Sequence, residues 1–235
     1  MELAVLDRIE MMIDVDGLAA ELCLGRAGTA AAAPLRPLLA EALALARPRV
    51  AYRLSTCEPE TGIAVLIDGV ALRSRILAVH LEGAHRAFPF VATCGRELAA
   101  WSALKRDPLE RFWAQAIMAR ALATAVEALG RELRQRFGLQ ETGILSPGSL
   151  GDWPIEDQVP LFRVLGDVEG ALGVRLTEGL MMDPVHSLSG MVFPTTTDFD
   201  QCRLCPREPC PARRTAFEDN LYETRYGRRD TNPSD

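Results

Sequence analysis

The apolar pattern between residues 108 and 137 is the longest regular pattern in this chain. Apolar and small side chains recur there every three or four positions, the spacing that places residues on one face of an α-helix. The pattern predicts a single helix, Pro108–Phe137. Its predicted buried stripe consists of Leu109, Phe112, Ala116, Ala119, Ala123, Val126, Leu129 and Leu133. We expect Trp101 and Trp113 to pack in the same core.

Shorter patterns before this helix predict a mixture of helices and strands. Helices are predicted at Leu35–Leu45, ending before Pro48, and at residues 72–81. Strands are predicted at residues 50–54, 63–67 and 88–93, with a hairpin turn at Asp68-Gly69. Residues 3–15 fit either a strand or a helix, and residues 29–34 form an alanine-rich linker.

A turn-rich segment, residues 146–154, follows the long helix. Its glycines and prolines hold backbone amides and carbonyls in irregular geometry, which suits a pocket for a polar small molecule. Pro154 fits the first turn of an amphipathic helix. The apolar positions of that helix are Ile155, Val159, Phe162 and Leu165. Two strands, at residues 174–176 and 188–192, then flank a Met-Met-Asp-Pro turn.

The order of these motifs resembles the activation domain of cobalamin-dependent methionine synthase, especially its stand-alone bacterial relatives. The matching segments are Ser146-Pro147-Gly148, the helix after it, Leu176-Thr177-Glu178, Met182-Asp183-Pro184 and Ser187-Leu188-Ser189-Gly190. The resemblance covers the second half of the chain closely and the first half loosely. It implies an α+β fold with a twisted, mostly antiparallel sheet and packed helices. It also implies S-adenosylmethionine binding and docking on a corrinoid protein whose reductive remethylation the domain assists.

Two positions of the family's ligand loop differ in this chain. Ile144 stands where the family has the arginine that binds the carboxylate of S-adenosylmethionine, and Ser149 stands where it has a tyrosine. Isoleucine cannot make the charge-assisted, bidentate contact of an arginine. Glu127 matches the family's acidic residue for the ligand's amino group. The ligand-binding residues that the resemblance implies are Glu127, Ser146, Pro147, Gly148 and Ser149. Retained S-adenosylmethionine binding, a changed ligand and no ligand remain the three alternatives.

Three cysteines near the C-terminus form a knuckle. Cys202, Cys205 and Cys210 have the close spacing of thiolates that share one metal ion or cluster, and neighbouring prolines stiffen the loop. A closed tetrahedral site needs a fourth donor. Cys94, which precedes a glycine at a predicted strand end, is the preferred candidate. The other candidates are Cys57, Cys23, His80, His85 and His186.

The spacing of the knuckle is compatible with both iron-sulfur and zinc, because both accept thiolates. A [4Fe-4S] cluster is favoured, since corrinoid reactivation requires a low-potential electron and some clusters lie in that range. A disulfide framework is disfavoured, because 6 cysteines in 235 residues are not dense and no secretory leader is recognisable. His186 either approaches a corrinoid or cluster, by the resemblance, or is an exposed turn residue.

Composition narrows the classes of partner. The net charge of -6 and the pI near 5.2 argue against a nucleic-acid binder, which needs a basic face. No apolar run approaches the roughly 20 residues that span a bilayer. We expect a cytoplasmic protein with an activation-domain-like part at residues 1–200. The knuckle would occupy residues 201–214, and a polar, partly disordered tail residues 215–235.

The sequence therefore predicts two functions from different classes. The first is an accessory protein of corrinoid-dependent methyl transfer, acting with a corrinoid-binding protein or methyltransferase and relaying an electron through an iron-sulfur cluster. The second is a non-catalytic partner-binding module shaped by a structural zinc knuckle. The colour of the anaerobically purified protein separates the two, because iron-sulfur clusters absorb visible light and zinc does not.

Overall fold

The computed structural model describes residues 2–22, 33–60, 63–196, 199–210 and 213–227. The helices of this described part are α1 (Val15–Glu21), α2 (Leu35–Leu45), α3 (Arg75–Leu81), α4 (Arg96–Ala103), α5 (Pro108–Phe137), α6 (Gln158–Leu165), α7 (Val168–Leu172) and α8 (Leu221–Tyr226). The strands are β1 (Ala4–Leu6), β2 (Arg49–Tyr52), β3 (Ser55–Pro59), β4 (Val65–Ile67), β5 (Val70–Leu72), β6 (Arg86–Thr93), β7 (Thr142–Leu145), β8 (Arg175–Leu176), β9 (Met182–Asp183) and β10 (Ser187–Pro194).

An antiparallel sheet with β6 at its centre organises the fold. One edge of β6 pairs with β2 and β3, and the opposite edge pairs with β10. Strand β1 adds to β2, β7 adds to β10, and β3, β4 and β5 form a meander. Every pairing in the described sheet is antiparallel, so the prediction of an α+β fold with a mostly antiparallel sheet is confirmed.

Side chains alternate along β6 and divide the core between the two faces of the sheet. Phe88 and Phe90 pack in one cluster with Leu129 and Leu133 of α5, which we call the helix-side cluster. Ala87 and Val91 of β6 pack in another cluster, with α3, α6 and α7, which we call the loop-side cluster because it also contains Leu150 and Trp153. A third cluster joins α2, α4 and the first half of α5.

Helix α5 has the predicted span, and its caps explain why. The side chain of Asp107 accepts hydrogen bonds from the amides of Leu109 and Glu110 at 2.9 and 3.0 Å, and Gly138 ends the helix in the left-handed conformation. The predicted buried stripe is wrong over the first half of the helix. Leu109 and Phe112 are 50% and 55% exposed. The buried residues are Trp113, Ala114, Ile117, Met118, Ala121, Ala125, Leu129 and Leu133.

Several other predictions need correction. Strand β3 was not predicted, and the predicted helix at residues 72–81 begins at Arg75 because residues 70–72 form β5. The hairpin turn at Asp68-Gly69 is confirmed between β4 and β5. Ile155 and Val159, predicted to be buried, are each 38% exposed. Cys23 and most of the predicted linker at residues 29–34 lie outside the described residues.

The described C-terminal residues fold back onto the loop-side cluster. Leu204, Tyr222 and Tyr226 belong to that cluster and are 2%, 8% and 5% exposed. A helix, α8, therefore occupies part of the segment that was predicted to be a polar tail. None of the helices in the described ranges is both long enough and apolar enough to cross a membrane.

Candidate functional site

The predicted ligand loop, residues 146–154, lies between β7 and a short 3₁₀ turn at Ile155–Asp157. Its backbone bonds to itself: the amide of Gly148 donates to the carbonyl of Trp153 at 2.8 Å, and the amide of Trp153 donates to that of Leu150 at 3.2 Å. Both the amide and the hydroxyl of Ser149 donate to the carbonyl of Ser146, at 3.2 and 2.6 Å. The loop is therefore a compact, internally bonded unit.

Two glycines permit the close approaches that this geometry requires. Gly148 has a φ of 76°, and a Cβ there would lie 2.8 Å from Cδ1 of Ile155. Gly190 of β10 lies against the start of the loop, where a Cβ would be 2.5 Å from the carbonyl oxygen of Leu145 and 2.9 Å from Oγ of Ser146. The glycine of the Ser-Leu-Ser-Gly motif thus lets β10 and the loop touch.

Two buried polar atoms of the loop have no hydrogen-bond partner in the described structure: Oγ of Ser146 and Nε1 of Trp153. Ser146 is 5% exposed and Trp153 is fully buried. An unsatisfied buried polar group costs about 1 to 3 kcal/mol, so such groups usually meet a ligand or an ordered water molecule. Both donors are therefore unsatisfied and shielded from solvent in this structure.

Ile144 and Glu127 lie on the same side of the sheet. Ile144 of β7 packs against the helix-side cluster, and so does Val126, the neighbour of Glu127 in α5. The carboxylate of Glu127 is exposed. Helix α5, which carries Glu127, and the side chain of Ile144 in β7 therefore lie on the same face of the sheet. A longer, charged side chain at position 144 would extend from that face.

A cavity that borders Ala128, the residue after Glu127, was missed by sequence reasoning. It has a volume of about 580 Å³ and lies between residues 5–12 and one side of α5. Its charged lining residues are Asp7, Arg8, Glu10, Arg131 and Glu132. A volume of several hundred Å³ is typical of small-molecule sites, and charges of both signs suit a zwitterion. The sequence does not reveal this cavity, because residues 5–12 and α5 are far apart in the chain and meet only in the folded structure.

The turn at residues 177–186 is tied to both α6 and β6. The side chain of Gln158 donates to the carbonyl of Leu180 at 3.2 Å and accepts from the hydroxyl of Ser189 at 3.3 Å. The backbone carbonyl of His186 accepts from the amide of Cys94 at 3.0 Å. Burial lowers the pKa of the half-buried His186 ring. His186 is thus a partly covered residue at the start of β10.

Cys94 is not positioned as a solvent-facing metal ligand. It is fully buried in the cluster of α2, α4 and α5, and burial raises the pKa of its thiol to about 12. Cys57 is also buried, donates to the carbonyl of Ala84 at 2.9 Å, and has its thiol pKa raised to about 11 by burial. Both side chains behave as small, protonated core residues.

The three knuckle cysteines lie elsewhere, in partly exposed positions as free thiols. Cys205 borders the loop-side cluster, not the cluster that contains Cys94. Within the ranges that the structure describes, no group of three or more His, Cys, Asp or Glu side chains could hold a metal ion. The assignment of Cys94 with Cys202, Cys205 and Cys210 to one metal site stays a prediction.

Backbone carbonyls of the knuckle accept hydrogen bonds from Arg213. Its guanidinium donates to the carbonyls of Cys202 at 3.1 Å, Cys205 at 3.0 Å and Arg207 at 2.6 Å. The amide of Arg213 donates to the carbonyl of Cys210 at 3.1 Å. The carbonyls of all three cysteines therefore converge on one residue, although their sulfur atoms do not form a metal site.

Comparison with known proteins identifies the fold. No protein-family model and no curated protein matches the sequence. Among solved structures, the crystal structure of the MetH reactivation domain bound to AdoHcy matches with a TM-score of 0.61. The match has 15% sequence identity and covers 85% of this chain and 81% of that chain. This chain has the MetH reactivation domain fold. The likeness at this identity confirms the fold that the motifs implied, and the fold alone.

Proposed function

We propose that this protein is a cytoplasmic accessory of cobalamin-dependent methyl transfer. It would bind S-adenosylmethionine, or a related amino-acid ligand, at the ligand loop and dock on a corrinoid-binding protein or methyltransferase. The observation that carries the proposal is the fold, shared over 85% of the chain with a reactivation domain bound to AdoHcy.

Features of this chain's own site support the same proposal. The loop keeps two buried donors, on Ser146 and Trp153, that lack a protein partner in the described structure. Glu127 offers an exposed carboxylate for an amino group. Ile144 supplies no charge for a carboxylate, so the clamp for a zwitterion is half complete. We therefore expect weak binding.

The test is calorimetry with S-adenosylhomocysteine and S-adenosylmethionine on the wild type, Ile144→Arg and Ile144→Met. A restored guanidinium–carboxylate pair contributes about 1.5 to 3 kcal/mol, so Ile144→Arg should bind roughly 10- to 150-fold more tightly than the wild type. Ile144→Met controls for the longer side chain and should bind like the wild type. Absence of binding by all three proteins would remove the ligand from the proposal.

The knuckle carries a second proposal, that Cys202, Cys205 and Cys210 bind a [4Fe-4S] cluster or zinc. Its support is the suitability of thiolates for either group and the convergence of the three cysteines' backbone carbonyls on Arg213. Cys94 would complete the site only if its buried thiol left the α2, α4 and α5 cluster. When bound, a cluster would supply a low-potential electron and zinc would supply structure.

Metal and sulfide analysis after anaerobic purification tests this second proposal. Each of Cys202→Ser, Cys205→Ser and Cys210→Ser should lose the metal, and bound sulfide with visible absorbance would identify a cluster. Zinc without sulfide would favour the partner-binding module instead. Cys94→Ser tests whether Cys94 is the fourth donor, because an unchanged metal content in this variant excludes it. Full metal in all three knuckle variants would remove the knuckle as the site.

A further inference from the structure

The C-terminal segment forms a strap across the ligand loop. We use the word strap for the described residues 199–210 and 213–227, which begin just after β10 and end with α8. The buried strap residues Leu204, Tyr222 and Tyr226 share the loop-side cluster with Leu150 and Trp153 of the ligand loop. The segment that carries the knuckle therefore packs against the segment that carries the candidate ligand site.

Asp152 is the polar junction of this contact. Its Oδ1 accepts a hydrogen bond from the hydroxyl of Tyr222 at 2.6 Å. Its Oδ2 accepts from the hydroxyl of Ser74 and from the amide of Ile76, the latter at 3.2 Å. One carboxylate of the ligand loop thus joins the loop to the start of α3 and to the strap.

A second anchor holds the strap at its far end through hydrogen bonds to α3. The hydroxyl of Tyr226 lies 2.9 Å from Nε2 of His80, and the backbone carbonyl of Tyr226 accepts from Arg75 at 3.3 Å. The ring of His80 contacts the rings of Phe193 and Phe199 with centroid distances of 4.9 and 5.0 Å. Tyr222 therefore anchors α8 to the ligand loop, and Tyr226 anchors it to α3.

We propose that Tyr222 is a positioning residue of the ligand loop. Asp152 immediately precedes Trp153, whose carbonyl receives the amide of Gly148 and closes the loop. Holding Asp152 therefore holds the closing residue of the loop and the two unsatisfied donors inside it. The strap sets the geometry of the loop, and through it the affinity for the ligand. The affinity part of this inference rests on the proposed function, whereas the ordering of the loop does not.

The decisive comparison is Tyr222→Phe against Tyr226→Phe. Each variant removes one hydroxyl from the same face of α8, but only the first removes a contact to the loop. Amide hydrogen exchange without ligand should become roughly tenfold faster at Gly148, Ser149 and Trp153 in Tyr222→Phe, the lower end of what a hydrogen bond to a carboxylate contributes. Exchange at these amides should stay at the wild-type rate in Tyr226→Phe. Equal loop exchange in both variants would overturn the proposal.

A ligand titration separates this proposal from the proposed function. If the wild type binds S-adenosylhomocysteine, Tyr222→Phe should weaken binding by no more than the roughly tenfold change expected in loop exchange, because only the strength of the same contact can be transmitted to the ligand. If no protein binds the ligand, the proposed function fails and the exchange experiment still decides the role of Tyr222. Should Tyr222→Phe fold poorly, Asp152→Asn is compared with Ser74→Ala, which removes a contact of Asp152 to α3 and leaves the contact to Tyr222. The proposal then requires faster loop exchange in Asp152→Asn than in Ser74→Ala, and equal rates would overturn it.

Discussion

The ligand loop and the cysteine knuckle are both turn-rich segments, and they are held in different ways. The loop is closed by its own backbone and leaves two buried side-chain donors, on Ser146 and Trp153, without partners among the described residues. The knuckle is held by a side chain as well as by its backbone, because the guanidinium of Arg213 donates to the carbonyls of Cys202, Cys205 and Arg207. Its three thiols remain partly exposed.

This difference indicates what each segment must change in order to bind. In the loop, the two unsatisfied donors are buried, so a polar ligand can reach them only if the loop opens. In the knuckle, the backbone is arranged but the thiols are not, so a metal would have to turn the side chains toward one point. The knuckle is a preformed scaffold by this criterion, and the loop is a covered site.

The largest effect is expected when Arg213 is replaced by methionine. The guanidinium makes contacts to four carbonyls, the fourth being that of Thr215 at 3.3 Å, and the side chain is 18% exposed. Hydrogen bonds from a charged donor contribute about 1.5 to 3 kcal/mol each and are not additive here, so Arg213→Met should destabilise the strap by about 2 to 3 kcal/mol. Limited proteolysis should then cut first within residues 202–215.

Arg214→Met is the matched control for this prediction. Arg214 is also an arginine of the knuckle, but its side chain is 67% exposed and pairs with Asp200 at 2.9 Å. Arg214 makes one ion pair, with an Asp200 side chain that is 15% exposed, instead of contacts to four carbonyls, so its loss should cost about 1 kcal/mol and leave the cleavage pattern closer to that of the wild type. Similar cleavage of the two variants would mean that Arg213 does not organise the knuckle.

A smaller effect is expected from the titration of His80, which lies beneath the strap. Burial, with a lesser contribution from Arg225, lowers the pKa of His80 to about 4, below the value of about 6.5 expected in the unfolded chain. Between these values the unfolded chain takes up a proton that the folded protein does not. Stability is therefore full above about pH 6.5 and falls as the pH drops towards 4.

The loss should amount to about 1 to 2 kcal/mol, because the ring is partly exposed and solvent screens part of the shift. Urea unfolding at several pH values measures it. His80→Phe should flatten the slope between pH 6.5 and 4.5, whereas Tyr226→Phe, which keeps the titrating ring, should retain it. An unchanged slope in His80→Phe would assign the pH dependence to other groups.

Much of the fold was predictable because local patterns carry it. Helix α5 was predicted with both ends correct, since Asp107-Pro108 and Gly138 are strong start and stop residues. The buried face of its first half was not, because α2 and α4 decide which side is covered. The exposure of Ile155 and Val159, which the sequence places on the apolar face of one helix, has the same cause. Periodicity predicts that a helix has an apolar face, but distant elements determine how much of that face is covered.

The candidate site was predictable only in part. Residues 146–149 were proposed from a sequence motif, and the structure shows that Gly148 and Gly190 permit the close contacts around them. The junction at Asp152 could not be predicted, because its partners Ser74 and Tyr222 lie 78 and 70 residues away along the chain. Helix α8 was not predicted within residues 215–235, since two tyrosines in a charged segment give a weak burial pattern.

The smallest predicted effect tests whether the buried hydroxyl of Ser146 is unsatisfied in the ligand-free loop. Oγ of Ser146 has no partner among the described residues, so Ser146→Ala should stabilise the ligand-free protein by about 0.5 to 1 kcal/mol. The matched control is Ser149→Ala, which removes the 2.6 Å bond to the carbonyl of Ser146 and should destabilise by about 1 kcal/mol. Urea unfolding measures both variants, and opposite signs are expected. If Ser146→Ala also destabilises, an ordered water molecule satisfies that hydroxyl, and the loop then binds a ligand only by displacing it.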